Sequence, residues 1–398
     1  MRLNLRRIAV ALAGFAAFLN LYAPQSLLPL FAEEFGARPG DVSLTVTAPT
    51  LAIALIAPFT GAVADVLGRK RVIGIAMFAL VVPTVMAALA PGLSALVFWR
   101  FVQGLVLPPI FAIVVAYIGE EWPRHEAISV TGIYTSATSF GGFFGRFITG
   151  VVADVSNWRV AFLTLAILTF ALALIVTLTL PREHRFVRSA GLRVAFAQML
   201  RHCRNRRLVA TYGVGFGVLF TFVATFTYVN FLLAAPPFGL SPTFLGLIFV
   251  VYLGGSVIAP LTGAGVARFG RRRLVMLAIA VWICGLLLTL VPWLPAILVG
   301  LAISATSGIL CQAVSTAVVA VSAEQGHSSA VGLYVTCYYV GGSFGGVLPG
   351  LIWNTAHWPG CIGMVVVVLV LMALVVWWFW ADRNRTYRTP SPGSGRCG

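Results

Sequence analysis

Long apolar runs separated by short polar breaks fill most of the chain. Twelve reach the roughly 18–25 residues that a helix needs to cross about 30 Å of hydrocarbon. They cover residues 8–32, 43–67, 72–90, 93–118, 127–153, 160–180, 208–233, 243–267, 274–292, 295–319, 328–354 and 359–380. The first follows Arg2, Arg6 and Arg7 as a secretory leader would. Its apolar length of about 25 residues and the lack of a small-residue cleavage site favour a retained span. The pattern predicts an all-α membrane protein with both termini on one side.

Composition points the same way. The 398 residues are 60% hydrophobic and 10% charged, against about 25% charged in soluble domains. Too few polar side chains remain to cover a water-exposed surface, so an ordinary soluble enzyme, a disordered chain and a disulfide scaffold are poor readings. The six cysteines are scattered, mostly within spans, and imply no metal site, disulfide framework or other cofactor.

The net charge of +16 would suit a nucleic-acid partner if it formed a patch. Instead 23 of the 27 basic residues fall in the N-terminus, the alternate loops after spans 2, 4, 6, 8 and 10, and the C-terminal tail. That asymmetry follows the positive-inside rule, so the surplus is topological and the termini are expected in the cytoplasm. Arg38 and Arg159 lie on the other face, and Arg100 and Arg146 inside spans. Residues 1–180 and 208–381 then form two six-helix bundles, joined by a basic linker, 181–207, and followed by a tail, 382–398.

The halves repeat. At an offset of 200, GIYTSATSFGGFFGRFITG (Gly132–Gly150) aligns with GLYVTCYYVGGSFGGVLPG (Gly332–Gly350), seven of nineteen positions being identical. At an offset of 202, GAVADVLGRKR (Gly61–Arg71) aligns with GAGVARFGRRR (Gly263–Arg273). Six-span halves in parallel repeat suit a transporter that rocks two bundles about a central site. Gly141, Gly142 and Gly145, with their counterparts Gly341, Gly342 and Gly345, are expected to let helices approach closely.

These motifs resemble the major facilitator superfamily. GAVADVLGRKR looks like its loop 2–3 signature, Arg100-Phe-Val-Gln103-Gly104 resembles its Arg-x-x-Gln-Gly motif, and the glycine run of span 5 is similar to its antiporter motif. YAPQSLLPLFAEEFG and GGFFGR look like the bacterial subgroup named for acriflavin sensitivity, among drug and metabolite efflux proteins. The resemblance implies a conformational latch of Gly61, Asp65, Gly68, Arg69 and Arg71, with Asp65 holding the halves together in the outward-facing state. The second copy has Ala267 at the acid's position, so only the first could form the full latch.

Charges inside the membrane are costly and mark functional or tightly partnered positions. Gln25, Arg100, Gln103 and Arg146 are expected to form one polar layer in the first half and, with Asn20, to face Tyr228, Asn230, Gln312 and Tyr338 of the second around a substrate cavity. The alternative is that the arginines cap carbonyls or bind Asp154. No Asp, Glu or His lies deep inside any span, so proton coupling would fall to Glu33, Glu34 or Asp154 at helix ends. Arginine does not deprotonate and cannot carry the proton.

The expected function is secondary transport of a small amphipathic solute across a bacterial inner membrane by a single chain, as proton-coupled efflux. Uptake or uniport of a small organic anion is the alternative. A membrane-embedded enzyme would need a nucleophile or metal motif, and none stands in the sequence.

Overall fold

The computed structural model describes residues 2–183, 198–258, 262–322 and 327–380. Among these every regular element is helical. The expected tail and residues 184–197 of the expected linker lie outside the described residues.

The first span is two helices, α1 (Arg2–Leu21) and α2 (Leu28–Glu34), joined by a 3-10 turn over Ala23–Leu27. Pro24 sits in that turn and its missing N–H ends the α1 ladder. Then come α3 (Pro39–Leu67), α4 (Arg69–Ala88), α5 (Leu93–Glu121), α6 (Arg124–Val155) and α7 (Trp158–Thr179). The second half opens with α8 (Arg206–Ala234), unbroken over its 29 residues. Its next span is α9 (Pro242–Ile248), α10 (Val251–Ile258) and α11 (Thr262–Phe269), followed by α12 (Arg271–Leu288) and α13 (Leu294–Ser322). The last helix, α14 (His327–Phe379), is two rods meeting at His357, whose φ is 47°. The single long helices expected at 8–32 and 243–267 are therefore broken ones.

Eight described helical stretches are long and apolar enough to cross a membrane. Their outward faces carry large apolar side chains such as Ile75, Ile167, Leu178 and Leu351, as a lipid-facing surface requires.

The repeat is visible in three dimensions. Gly68 and Gly270, equivalent in the signature motif, both take positive φ (88° and 76°) at the turns into α4 and α12. A Cβ at Gly141 or Gly145 would land on the carbonyls of Phe15 and Leu19 in α1. In the second half Gly341 and Gly345 meet the carbonyls of Phe216 and Phe220 in α8 in the same way.

The halves meet where α6 packs on α9 and α3 packs on the first rod of α14. Gly150 lies against the Pro242 carbonyl, and Gly40 against Gly350. The Ser43 hydroxyl donates to the Gly346 carbonyl (2.8 Å), Tyr228 donates to the same oxygen (2.7 Å), and Thr50 pairs with Ser343 (3.0 Å). All these contacts close the end remote from the N-terminus. At the N-terminal end, ion pairs stitch the first half to itself: Arg6–Glu121 (3.0 Å), Arg7–Glu126 (2.9 Å) and Arg69–Glu120 (2.8 Å).

Candidate substrate cavity

Between the halves lies a cavity of about 230 Å³, below the roughly 300–1,000 Å³ usual for ligand pockets. Its first-half wall includes Tyr22, Gln25, Thr138, Phe143 and Arg146, and its second-half wall Phe222, Tyr252, Gln312, Tyr338 and Tyr339. Along α6 the wall passes from exposed Thr135 to buried Arg146. The cavity is thus open toward the N-terminal end and shut at the other.

Arg146 is the only charged side chain among the described lining residues. Its Nε donates to Gln25 Oε1 (2.7 Å) and its Nη1 to the Gly142 carbonyl (2.5 Å). The guanidinium lies over Phe249 (4.2 Å), Tyr22 (4.9 Å) and Tyr252 (5.5 Å). Each ring face offers about 0.5–2 kcal/mol to a desolvated cation. Gln25 in turn donates to Thr227 Oγ1 of α8 (3.1 Å), so the chain of bonds from Arg146 crosses to the other half.

Of the nine residues expected around the cavity, Gln25, Arg146, Gln312 and Tyr338 line it, while Asn20, Arg100, Gln103, Tyr228 and Asn230 stand elsewhere. Tyr228 is taken by the closed interface. Asn230 donates to the Phe226 carbonyl of its own helix (2.6 Å). Arg100 is fully buried inside the first half. Its Nε donates to the Thr45 carbonyl (2.9 Å), its Nη1 to the Asn20 carbonyl (2.9 Å) and to Gln103 Oε1, and its Nη2 to the Leu21 carbonyl. Gln103 continues to Thr84 (2.7 Å), and Asn20 to Thr169 (2.8 Å). The expected single polar layer is two: a structural one on Arg100 and a cavity-facing one on Arg146.

Local chemistry explains the first. In a continuous helix the Asn20 and Thr45 carbonyls would accept from the N–H of residues 24 and 49, and both are proline. The Gln25 N–H turns instead to the Tyr22 carbonyl (3.0 Å), which frees Leu21 as well. Arg100 supplies the donors that the prolines remove. Of the two roles expected for Arg100, the geometry fits the alternative, carbonyl capping.

The helix-end acids stand outside the cavity wall. Glu33 is exposed. Glu34 accepts from Trp158 Nε1 (2.6 Å) and Arg159 Nη1 (3.0 Å). Asp154 accepts from the Ser241 hydroxyl (2.6 Å) and the Thr243 N–H (2.9 Å), joining α6 to the start of α9 across the halves. It does not pair with Arg146. Asp154→Ala is expected to shift the protein a few-fold toward opening at that end, a modest effect because the contact is exposed. Faster hydrogen exchange over residues 241–248 would report it, and unchanged exchange would count against the contact.

In the expected latch, Gly68 makes the turn, and the N–H of Lys70 beside it donates to Glu183 (3.3 Å). Arg69 pairs with Glu120 of its own half through two bonds, and Arg71 is exposed. Gly61 and Asp65 lie in the last turns of α3, and the side chain of Asp65 is outside what is described. Tyr252 and Phe249 were not singled out from the sequence. Their signal was the aromatic pair flanking a break in span 8, which periodicity alone does not reveal.

Residues 10–236 and 216–396 match the family model of the Major Facilitator Superfamily. The chain belongs to the major facilitator superfamily. It is 30% identical over 379 residues to the uncharacterised MFS-type transporter YybF of Bacillus subtilis (strain 168), covering 95% of this chain and 93% of that one. It is 32% identical over 375 residues to the inner membrane transport protein YnfM of Escherichia coli (strain K12), covering 93% and 89%. A solved structure of a mutant of the nucleoside transporter NupG shares the superfamily fold, with a TM-score of 0.77 at 14% identity over 94% of this chain and 99% of that one. The protein is a multi-pass membrane transporter and not an enzyme.

Proposed function

We propose that this superfamily member carries a small amphipathic organic anion, a drug or metabolite, out across the bacterial inner membrane by alternating access. The reading uses twelve crossings: the two rods of α14, the broken span α9–α11, α6 and α12 join the other candidate helices. The excess of arginine at the N-terminal end supports a cytoplasmic side for that end and for the cavity mouth, where an exporter loads. Both cavity walls come from one chain, which supports a functional monomer.

The carrying observation is that, among the described lining residues, Arg146 is the sole charge on a wall of aromatic, hydroxyl, amide and aliphatic side chains. A guanidinium forks two donors toward a carboxylate, sulfonate or phosphonate, and the surrounding tyrosines suit a planar body. Proton-coupled efflux, the drug-efflux subgroup's mode, is the second reading. It would run through Glu33, Glu34 or Asp154, and the bond of Asp154 across the halves favours the last of these. An imposed pH gradient that drives flux would support it.

Equilibrium binding to the purified protein tests the anion. Benzenesulfonate is expected to bind at least about tenfold tighter than benzylammonium, a cation of similar size. Arg146→Ala should weaken it roughly 10- to 100-fold, since a hydrogen bond to a charged group contributes about 1.5–3 kcal/mol. Equal binding of anion and cation would sink the proposal.

A further inference from the structure

Resting on that anion site, we infer that the protein is an obligate anion exchanger: one organic anion carried out is answered by another anion carried in, because the unloaded carrier reorients slowly.

Arg146 belongs to the first half, but its surroundings belong to both. The residue is 5% exposed, and the rings of Phe249 and Tyr252 against its guanidinium come from the second half. Gln25, which accepts from its Nε, is bonded to Thr227 of the second half. The backbone around Arg146 is itself packed on Gly246 of α9. Opening the remote end must part α6 from α9 and α10. The guanidinium then leaves Phe249 and Tyr252, and Gln25 leaves Thr227.

As α6 begins to part from α9 and α10, and before water enters from the opening end, that cation sits in a low-dielectric passage with its aromatic partners drawn away. An isolated charge there is costly, and the cost is removed by a counter-charge that travels with it. No Asp or Glu stands among the described lining residues to serve. Gln25, Gln312 and the tyrosines are neutral. A bound anion is the remaining counter-charge, so loaded carriers cross and unloaded ones wait. Both exchanged solutes are small anions able to accept from a guanidinium.

The full chain in proteoliposomes decides this, with valinomycin and potassium clamping the membrane potential. Radiolabelled benzenesulfonate is presented outside vesicles that hold either unlabelled benzenesulfonate or the potassium salt of an impermeant polyanion. Initial uptake should be at least about tenfold faster into the first. Equal rates, zero included, overturn exchange while leaving the anion site standing if the probe binds. Failure to bind in the equilibrium assay removes the anion site, and the exchange inference with it.

A second readout needs no substrate. Arg146→Gln removes the charge and keeps an amide, so amides of residues 343–350 should exchange several-fold faster than in the unliganded native protein. Arg146→Lys should retain the native protection. Native rates in Arg146→Gln would overturn the idea that this charge holds back the unloaded carrier.

Discussion

Arg100→Met is expected to lose folded protein before it alters transport. The guanidinium donates to three backbone carbonyls and one amide, all buried. Methionine fills much of the volume but donates nothing. Each stranded acceptor costs about 1–3 kcal/mol, so the four together cost at least several kcal/mol. The expected result is a large drop in monodisperse yield and melting temperature. The prolines supply the sharper test, because Pro24 and Pro49 created two of the vacant carbonyls. Pro24→Ala with Pro49→Ala returns the N–H groups to the helix ladders, so Arg100→Met should cost clearly less in that background. An unchanged cost would mean that Arg100 does not act by satisfying those carbonyls. Loss of transport at native yield would instead return Arg100 to the substrate path, although it lies outside the cavity wall.

The contrast between Arg100 and Arg146 shows where sequence reading stopped. That two arginines lie inside spans is legible from hydropathy alone, as are the repeat, the reversal at Gly68 and the close-packing glycines. What each arginine does depends on which backbone groups surround it, and those come from helices 50 to 80 residues away. Pro24 and Pro49 are plain in the sequence, but their convergence on Arg100 needs the packing of α1 and α3 on α5.

The same holds for the broken symmetry. Arg146 has Gly346 as its repeat counterpart, and a side chain at Gly346 would collide with Thr47 Oγ1 of the closed interface. That position has no room for a second arginine. Likewise α8 is unbroken where α1 ends at a proline turn, so the second half needs no equivalent of Arg100. The acids were misleading for a related reason. Asp154 lies on the helix of Arg146 and carries the opposite charge, but the chain also brings Ser241 and the Thr243 N–H within its reach.

Gly145→Ala is expected to be as damaging as a much larger substitution would be elsewhere, and Gly142→Ala three residues away nearly harmless to the fold. The added methyl at Gly145 meets the Leu19 carbonyl, which belongs to the α1 backbone and cannot rotate aside as a side chain would. The two helices must separate, which disturbs the α1 end where Arg100 holds the Leu21 carbonyl. Overpacking of this kind costs about 1–3 kcal/mol or more. Gly345→Ala, facing the Phe220 carbonyl, should cost a similar amount in the second half. At Gly142 the new methyl would lie 3.3 Å from Arg146 Nη1, the tip of a long side chain that can shift by a few tenths of an ångström. Gly142→Ala should therefore keep its melting temperature and lose a few-fold in anion affinity, because it moves the guanidinium and not the helix. Thermal unfolding and benzenesulfonate binding on the three variants separate the effects. If Gly145→Ala melted like Gly142→Ala, the α1–α6 crossing would not be as close as the carbonyl contact requires.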